Sequence, residues 1–135
     1  MIRPVIKSFD STDWDLNPIE STGPLEICVH VEIGDVQSPG ADTYLVVVVN
    51  TEWVRTRHGT PLTNDDILPP LPRAYLVLNV ISLPELKTYI DHKIEEFGPY
   101  SSWPEFAMKL SPYLIWEFEG QDYPPLSNDK KRILQ

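Results

Sequence analysis

Polar and hydrophobic residues alternate strictly from Leu25 to Ile33. Leu25, Ile27, Val29, Val31 and Ile33 fall on one side of an extended chain, and Glu26, Cys28, His30 and Glu32 on the other. A period of two predicts a strand with one buried and one wet face, as in an antiparallel sheet. Thr43 to Thr51 reads as the next strand. Its Leu45 to Val49 run is apolar on both faces, which predicts a central strand covered twice. Val5 to Phe9 gives a shorter strand ahead of an acidic turn with Asp10, Asp13 and Asp15, and Ala74 to Ile81 gives a fourth. A last strand is expected from Tyr113 to Glu119, with Leu114, Trp116 and Phe118 on one face and Ile115, Glu117 and Glu119 on the other.

Between the fourth and fifth strands the apolar period lengthens to three and four. Leu83, Leu86, Ile90, Ile94 and Phe97 mark one amphipathic helix, and Trp103, Phe106, Ala107 and Leu110 a second. Both begin with Ser-x-Pro-Glu, at Ser82 and Ser102. The serine accepts an unpaired amide of the first turn, the glutamate reaches back to the serine amide, and proline is tolerated at the start of a helix. Gly98-Pro99 suits a left-handed cap on the first helix, and the second stops before Pro112. Asn17 to Pro24 reads as a loop. Glu52 to Pro72, with Pro61, Pro69, Pro70 and Pro72, reads as an irregular surface segment. Strands, then helices, then a strand predict an α+β fold: an antiparallel or mixed sheet of about five strands with two consecutive helices packed on one face. Residues 1–122 form one domain in this reading, and 123–135 a loosely ordered tail.

Composition sharpens the picture in two places. The chain has 135 residues, 41 % of them apolar, enough for one hydrophobic core. Its longest apolar run, Tyr44 to Val49, is far below the ~18 residues that cross a bilayer. Met1 to Lys7 reaches Pro4 before any secretory stretch, and the single Cys28 offers no internal disulfide, so the expected location is the cytoplasm. Net charge is −9, and the segment Tyr123 to Gln135 alone carries +2, leaving −11 on the rest. Such a surface repels phosphate backbones and attracts basic partners.

Candidate chemistry is sparse. The six glycines are scattered, one cysteine leaves no Cys-x-x-Cys pair, and His30, His58 and His92 lie far apart in sequence. Glu26, Cys28, His30 and Glu32 share a strand face and have the side chains to ligate a metal, but a solvated strand face explains them more simply. Trp116 and Phe118 read as core anchors with Glu117 outward, and Trp14 and Trp53 as plugs at the ends of the core. No catalytic residue, cofactor or metal is expected, and neither nucleic acid nor a membrane is an expected partner.

From Tyr44 to Tyr123 the chain resembles the immunity protein 8 family of bacterial polymorphic toxin systems, which act in contact-dependent growth inhibition. The residues that carry the resemblance are Asn50-Thr51-Glu52-Trp53 after an apolar strand, Arg73-Ala74-Tyr75-Leu76-Val77-Leu78, Trp103-Pro104-Glu105-Phe106-Ala107-Met108-Lys109-Leu110-Ser111, and Trp116-Glu117-Phe118. The chain departs from the family pattern in a longer proline-rich segment, Thr56 to Pro72, and in Tyr113-Leu114-Ile115 ahead of the Trp-Glu-Phe. The resemblance implies a non-enzymatic cytoplasmic protein that binds and neutralises the C-terminal domain of a cognate secreted toxin by covering its active or substrate-binding surface. The acidity adds the expectation of a basic toxin, a nuclease, with Asp65, Asp66, Glu117, Glu119 and Asp122 as contacts on a monomer or weak homodimer. A general interaction module, an adaptor or assembly subunit, is the alternative.

Overall fold

The computed structural model describes residues 1–20, 23–56 and 71–119. Asp65, Asp66, Asp122 and the tail at 123–135 therefore lie outside the described residues. Within them the order is β1 (Pro4–Asp10), β2 (Glu26–Asp35), β3 (Asp42–Val49), α1 (Thr51–Thr56), β4 (Tyr75–Val77), α2 (Leu83–Phe97), α3 (Trp103–Lys109) and β5 (Ile115–Trp116). The expected α+β class and five-stranded sheet are present, and the sheet is mixed.

β1, β2 and β3 form an antiparallel meander, with Ile6 opposite Ile33 and Val29 opposite Val46. The second edge of β3 is divided. β4 lies parallel along its C-terminal half, Val47 to Val49, and β5 antiparallel along Tyr44 and Leu45. That division explains why two expected strands are shorter than their patterns. The expected strand from Ala74 to Ile81 is confined to Tyr75–Val77, because beyond Val49 β3 has no more edge to give. Ile81 instead bridges to Ile19. The strand from Tyr113 to Glu119 shrinks to Ile115–Trp116, after which the Glu119 amide turns back to Trp116 O at 2.9 Å. Phe118 is consequently more than a third exposed, resting edge-on against Trp116, while Leu114 and Trp116 are buried as expected.

One face of the sheet carries the core. Ile27, Val29, Val31, Ile33, Tyr44, Val46, Val48 and Leu76 meet Leu86, Ile90 and Ile94 of α2 and Phe106 and Ala107 of α3. Tyr44, Tyr100 and Trp103 each set a ring edge-on to Phe106, at centroid distances of 5.5, 4.9 and 5.5 Å. Trp14 closes the core as expected, its Nε1 donating to Asn17 O at 2.6 Å. Tight backbone approach fixes the turn after β2: a Cβ on Gly34 would sit 2.0 Å from Gly40 O.

Both serine caps form. Ser82 Oγ accepts from Glu85 N at 3.3 Å and Ser102 Oγ from Glu105 N at 3.2 Å. The reciprocal arm differs from expectation at α3, where Glu105 Oε1 accepts from Ser101 N at 2.6 Å and Ser101 Oγ at 2.7 Å. The carboxylate reaches the free amide one residue further out. Gly98 does not cap α2 in the left-handed region. It is extended, with φ −71° and ψ 170°. Lys109 takes over the end of that helix, donating from Nζ to Phe97 O at 3.3 Å and Pro99 O at 3.1 Å.

A third helix, α1, replaces the start of the segment read as irregular from Glu52. Its signal was Asn50, whose Oδ1 accepts from Trp53 N at 2.9 Å as a helix cap does. The same oxygen accepts from Leu25 N at 3.0 Å, and Nδ2 donates to Gly23 O at 2.8 Å. Asn50 is 3 % exposed, so one buried amide ties the start of β2 to the end of β3 and to α1.

Candidate functional site

α2 and α3 cover the core face and leave the other face of the sheet to the wet half of each strand pattern. Strand register orders that second face into rungs, since side chains two apart along a strand share a side. Glu26, Val49 and Val77 form the first rung; Cys28, Val47 and Tyr75 the second; Asp10, His30, Leu45 and Ile115 the third. Ser8, Glu32 and Thr43 make the fourth, which Glu117 joins through its amide bond to Thr43 O at 2.9 Å. Val47 and Val49 are buried, so β3 is covered on both sides as its sequence predicts. Trp53 of α1 lies over one end, its ring 5.6 Å from Tyr75. Ser8, Asp10, Glu26, Cys28, His30, Glu32 and Glu117 are exposed.

The carboxylates here are held by neutral donors. Tyr75 Oη donates to Glu26 Oε2 at 2.7 Å, Ser8 Oγ to Glu32 Oε1 at 2.8 Å, and Thr43 N to Glu117 Oε2 at 2.6 Å. Among the described residues none of these three forms an ion pair. Glu119 differs. Arg73 grips it with both guanidinium nitrogens, Nη1 at 3.0 Å from Oε1, while Nη1 also donates to Ser111 O at 2.8 Å. On the helices, by contrast, Lys87 pairs with Asp91 at 2.6 Å, Lys93 with Glu96 at 3.3 Å and Lys109 with Glu105 at 3.7 Å. The Lys93 ammonium also sits 4.6 Å from the Tyr113 ring centroid. Three of the helical acids are thus paired with lysines, whereas Glu26, Glu32 and Glu117 have no cationic partner among the described residues.

The Cys28 thiol lies among these charges. Partial burial raises its pKa, and Asp13 and then Glu26 raise it further, which disfavours the thiolate. Asp13 also accepts from Cys28 N, at 3.1 Å, and Ser11 Oγ donates to Cys28 O at 2.6 Å. Among the described residues no group of three or more His, Cys, Asp or Glu is arranged to hold a metal ion.

A family model for Immunity protein 8 matches residues 4–123, which takes in every described strand and helix. The chain belongs to that family. No curated protein and no solved structure matches it significantly. An immunity protein 8 acts by immunity, binding a cognate toxin, and the family points away from catalysis. Among the described residues no helix is long and apolar enough to cross a membrane.

The residues that carried the resemblance to the immunity protein 8 family turn out to be bonded into the fold. Asn50, Trp103, Phe106 and Lys109 act as described above, and Trp116 Nε1 donates to Asp42 Oδ2 at 3.0 Å. Of the expected contact residues, Glu117 and Glu119 come to the same end of the molecule, and both carboxylates also brace it. The alternation from Glu26 to Glu32 was legible in sequence. Its extension by Asp10, Tyr75 and Ile115 was not, because the neighbours that complete the rungs depend on register.

Proposed function

We propose that this immunity protein neutralises a basic toxin domain, a nuclease, in the cytoplasm by covering its active or substrate-binding surface. Family membership carries this reading. The charge supports its finer part, since a body of net −9 approaches a groove built for phosphates with favourable long-range attraction. Asp65, Asp66, Glu117, Glu119 and Asp122 are the proposed contacts, and the protein works as a monomer or weak homodimer. Glu117 and Glu119 are best tested as glutamines, because glutamine keeps an acceptor for Thr43 N and for Arg73.

The test is capture of the C-terminal domain encoded by the adjoining toxin gene, with growth of cells expressing that domain scored with and without this chain. Nanomolar binding together with rescue is the expected outcome. Failure of both against a folded, active domain moves the reading to a general interaction module. A captured partner that forms pores or cleaves peptidoglycan would remove the nuclease while leaving the immunity function intact.

A further inference from the structure

We propose that the sheet face opposite α2 and α3 is the docking surface, that Cys28 lies at its centre, and that its occupant is the basic surface of the toxin domain. This rests on the immunity reading and names the surface that performs it. Three observations converge. Asp10, Glu26, Glu32 and Glu117 are exposed on rungs of one rigid sheet. Glu26, Glu32 and Glu117 are oriented by hydroxyl or amide donors, so their charge is held in place, and among the described residues no cation compensates it. On the helical side Asp91, Glu96 and Glu105 are already paired with lysines, so a cationic partner gains less at those three. A preorganised carboxylate with no cation of its own loses little side-chain freedom when a lysine or arginine arrives.

Size sets a limit on the arrangement. Four rungs across four strands span roughly 20 Å by 14 Å at the usual strand spacings. A stable complex covers about 800 Å² on each partner. The face therefore forms the middle of the contact, and the partner also reaches the rim. Leu45 and Ile115, half-buried beside His30, supply apolar surface within the charged ring.

The sequence has a single cysteine, which makes the test specific. Because Cys28 is exposed, a maleimide-linked polyethylene glycol attached at mildly alkaline pH adds bulk without entering the core. Binding of the adjoining toxin domain to the full chain is measured for unmodified, methylthiolated and polymer-labelled protein, with circular dichroism confirming the fold of each. The polymer is expected to weaken binding on the order of 100-fold, the loss seen when the centre of an interface is blocked, and methylthiolation tenfold at most. In parallel, Glu26→Gln with Glu32→Gln should slow association about tenfold and lower its salt dependence, while Glu85→Gln with Glu95→Gln on α2 should not. Full-strength binding by the polymer-labelled protein overturns the docking surface and leaves the immunity reading standing. Failure of the unmodified chain to bind overturns both. Equal slowing by the α2 pair overturns the assignment of the face by charge.

Discussion

The Asn50 amide accepts from Leu25 N and Trp53 N and donates to Gly23 O while almost wholly out of water. Alanine there leaves the part-buried Leu25 and Trp53 amides and the Gly23 carbonyl without this partner, and each group left unpaired costs about 1–3 kcal/mol. Asn50→Ala should therefore lose about 3 kcal/mol in chemical denaturation; a loss below ~1 kcal/mol would show that solvent reaches these groups. Tyr44 presents the opposite case. Its hydroxyl is buried with no hydrogen-bond partner among the described residues, and burial, then the charges of Asp42 and Glu117, push its pKa up. Tyr44→Phe removes an unsatisfied donor while keeping the ring edge-on to Phe106, so the melting temperature should hold or rise. Glu105 is held below its ordinary pKa of 4.5 by the Ser101 amide, then the Ser101 hydroxyl, with Lys109 assisting. Its contribution is complete above pH ~4.5 and is lost as pH falls through the lower folded value. Melting followed from pH 7 to pH 2 should show that loss, and Glu105→Gln should flatten part of it; an unchanged acid limb would mean that Asp15 and Asp35, lowered in the same direction, dominate. Sequence reading missed Asn50 because its cap is followed by a helix of six residues, too short to show an apolar period.

At the level of elements, the long pieces were legible and the short ones were not. α2 and β2 announce themselves because their signals, a capped amphipathic run and a strict alternation, are local. β4 and β5 were read too long because their ends are set by which part of β3 each neighbour occupies, and that is decided in three dimensions. The divided edge has an effect on dynamics. Everything between β4 and β5, including α2 and α3, is flanked by two short stretches of pairing beside the β1–β2–β3 meander, with the Ile19–Ile81 and Ile2–Tyr100 bridges as further ties. Arg73 secures them where they meet, bonding Ser111 O and Glu119, while Ala74 N donates to Pro112 O at 3.0 Å. Hydrogen exchange should show amides of residues 71–119 opening together at lower free energy than those at the centre of β2. Arg73→Ala should accelerate that group and leave β2 unchanged; uniform exchange across both would mean a single cooperative unit.

Across the whole molecule, the two sides of the sheet carry different tasks. α2, α3, the rings around Phe106 and three lysine–acid pairs lie on one side; α1 and carboxylates with no cationic partner among the described residues lie on the other. Net charge shows the sign of this field in the sequence but not its direction, because the register that gathers Asp10, Glu26 and Glu32 on one face is set only when the strands pair. Exposed side chains away from caps and buried networks typically alter stability by no more than about 0.5 kcal/mol when replaced. The outward positions of β2 can therefore be exchanged one after another while the core beneath Val29 and Val31 keeps its packing. For a protein that binds a toxin, that separation has a historical meaning: on the proposed docking face recognition can be rewritten by single substitutions, each intermediate still folds, and a lineage can follow a changing toxin without rebuilding its own scaffold.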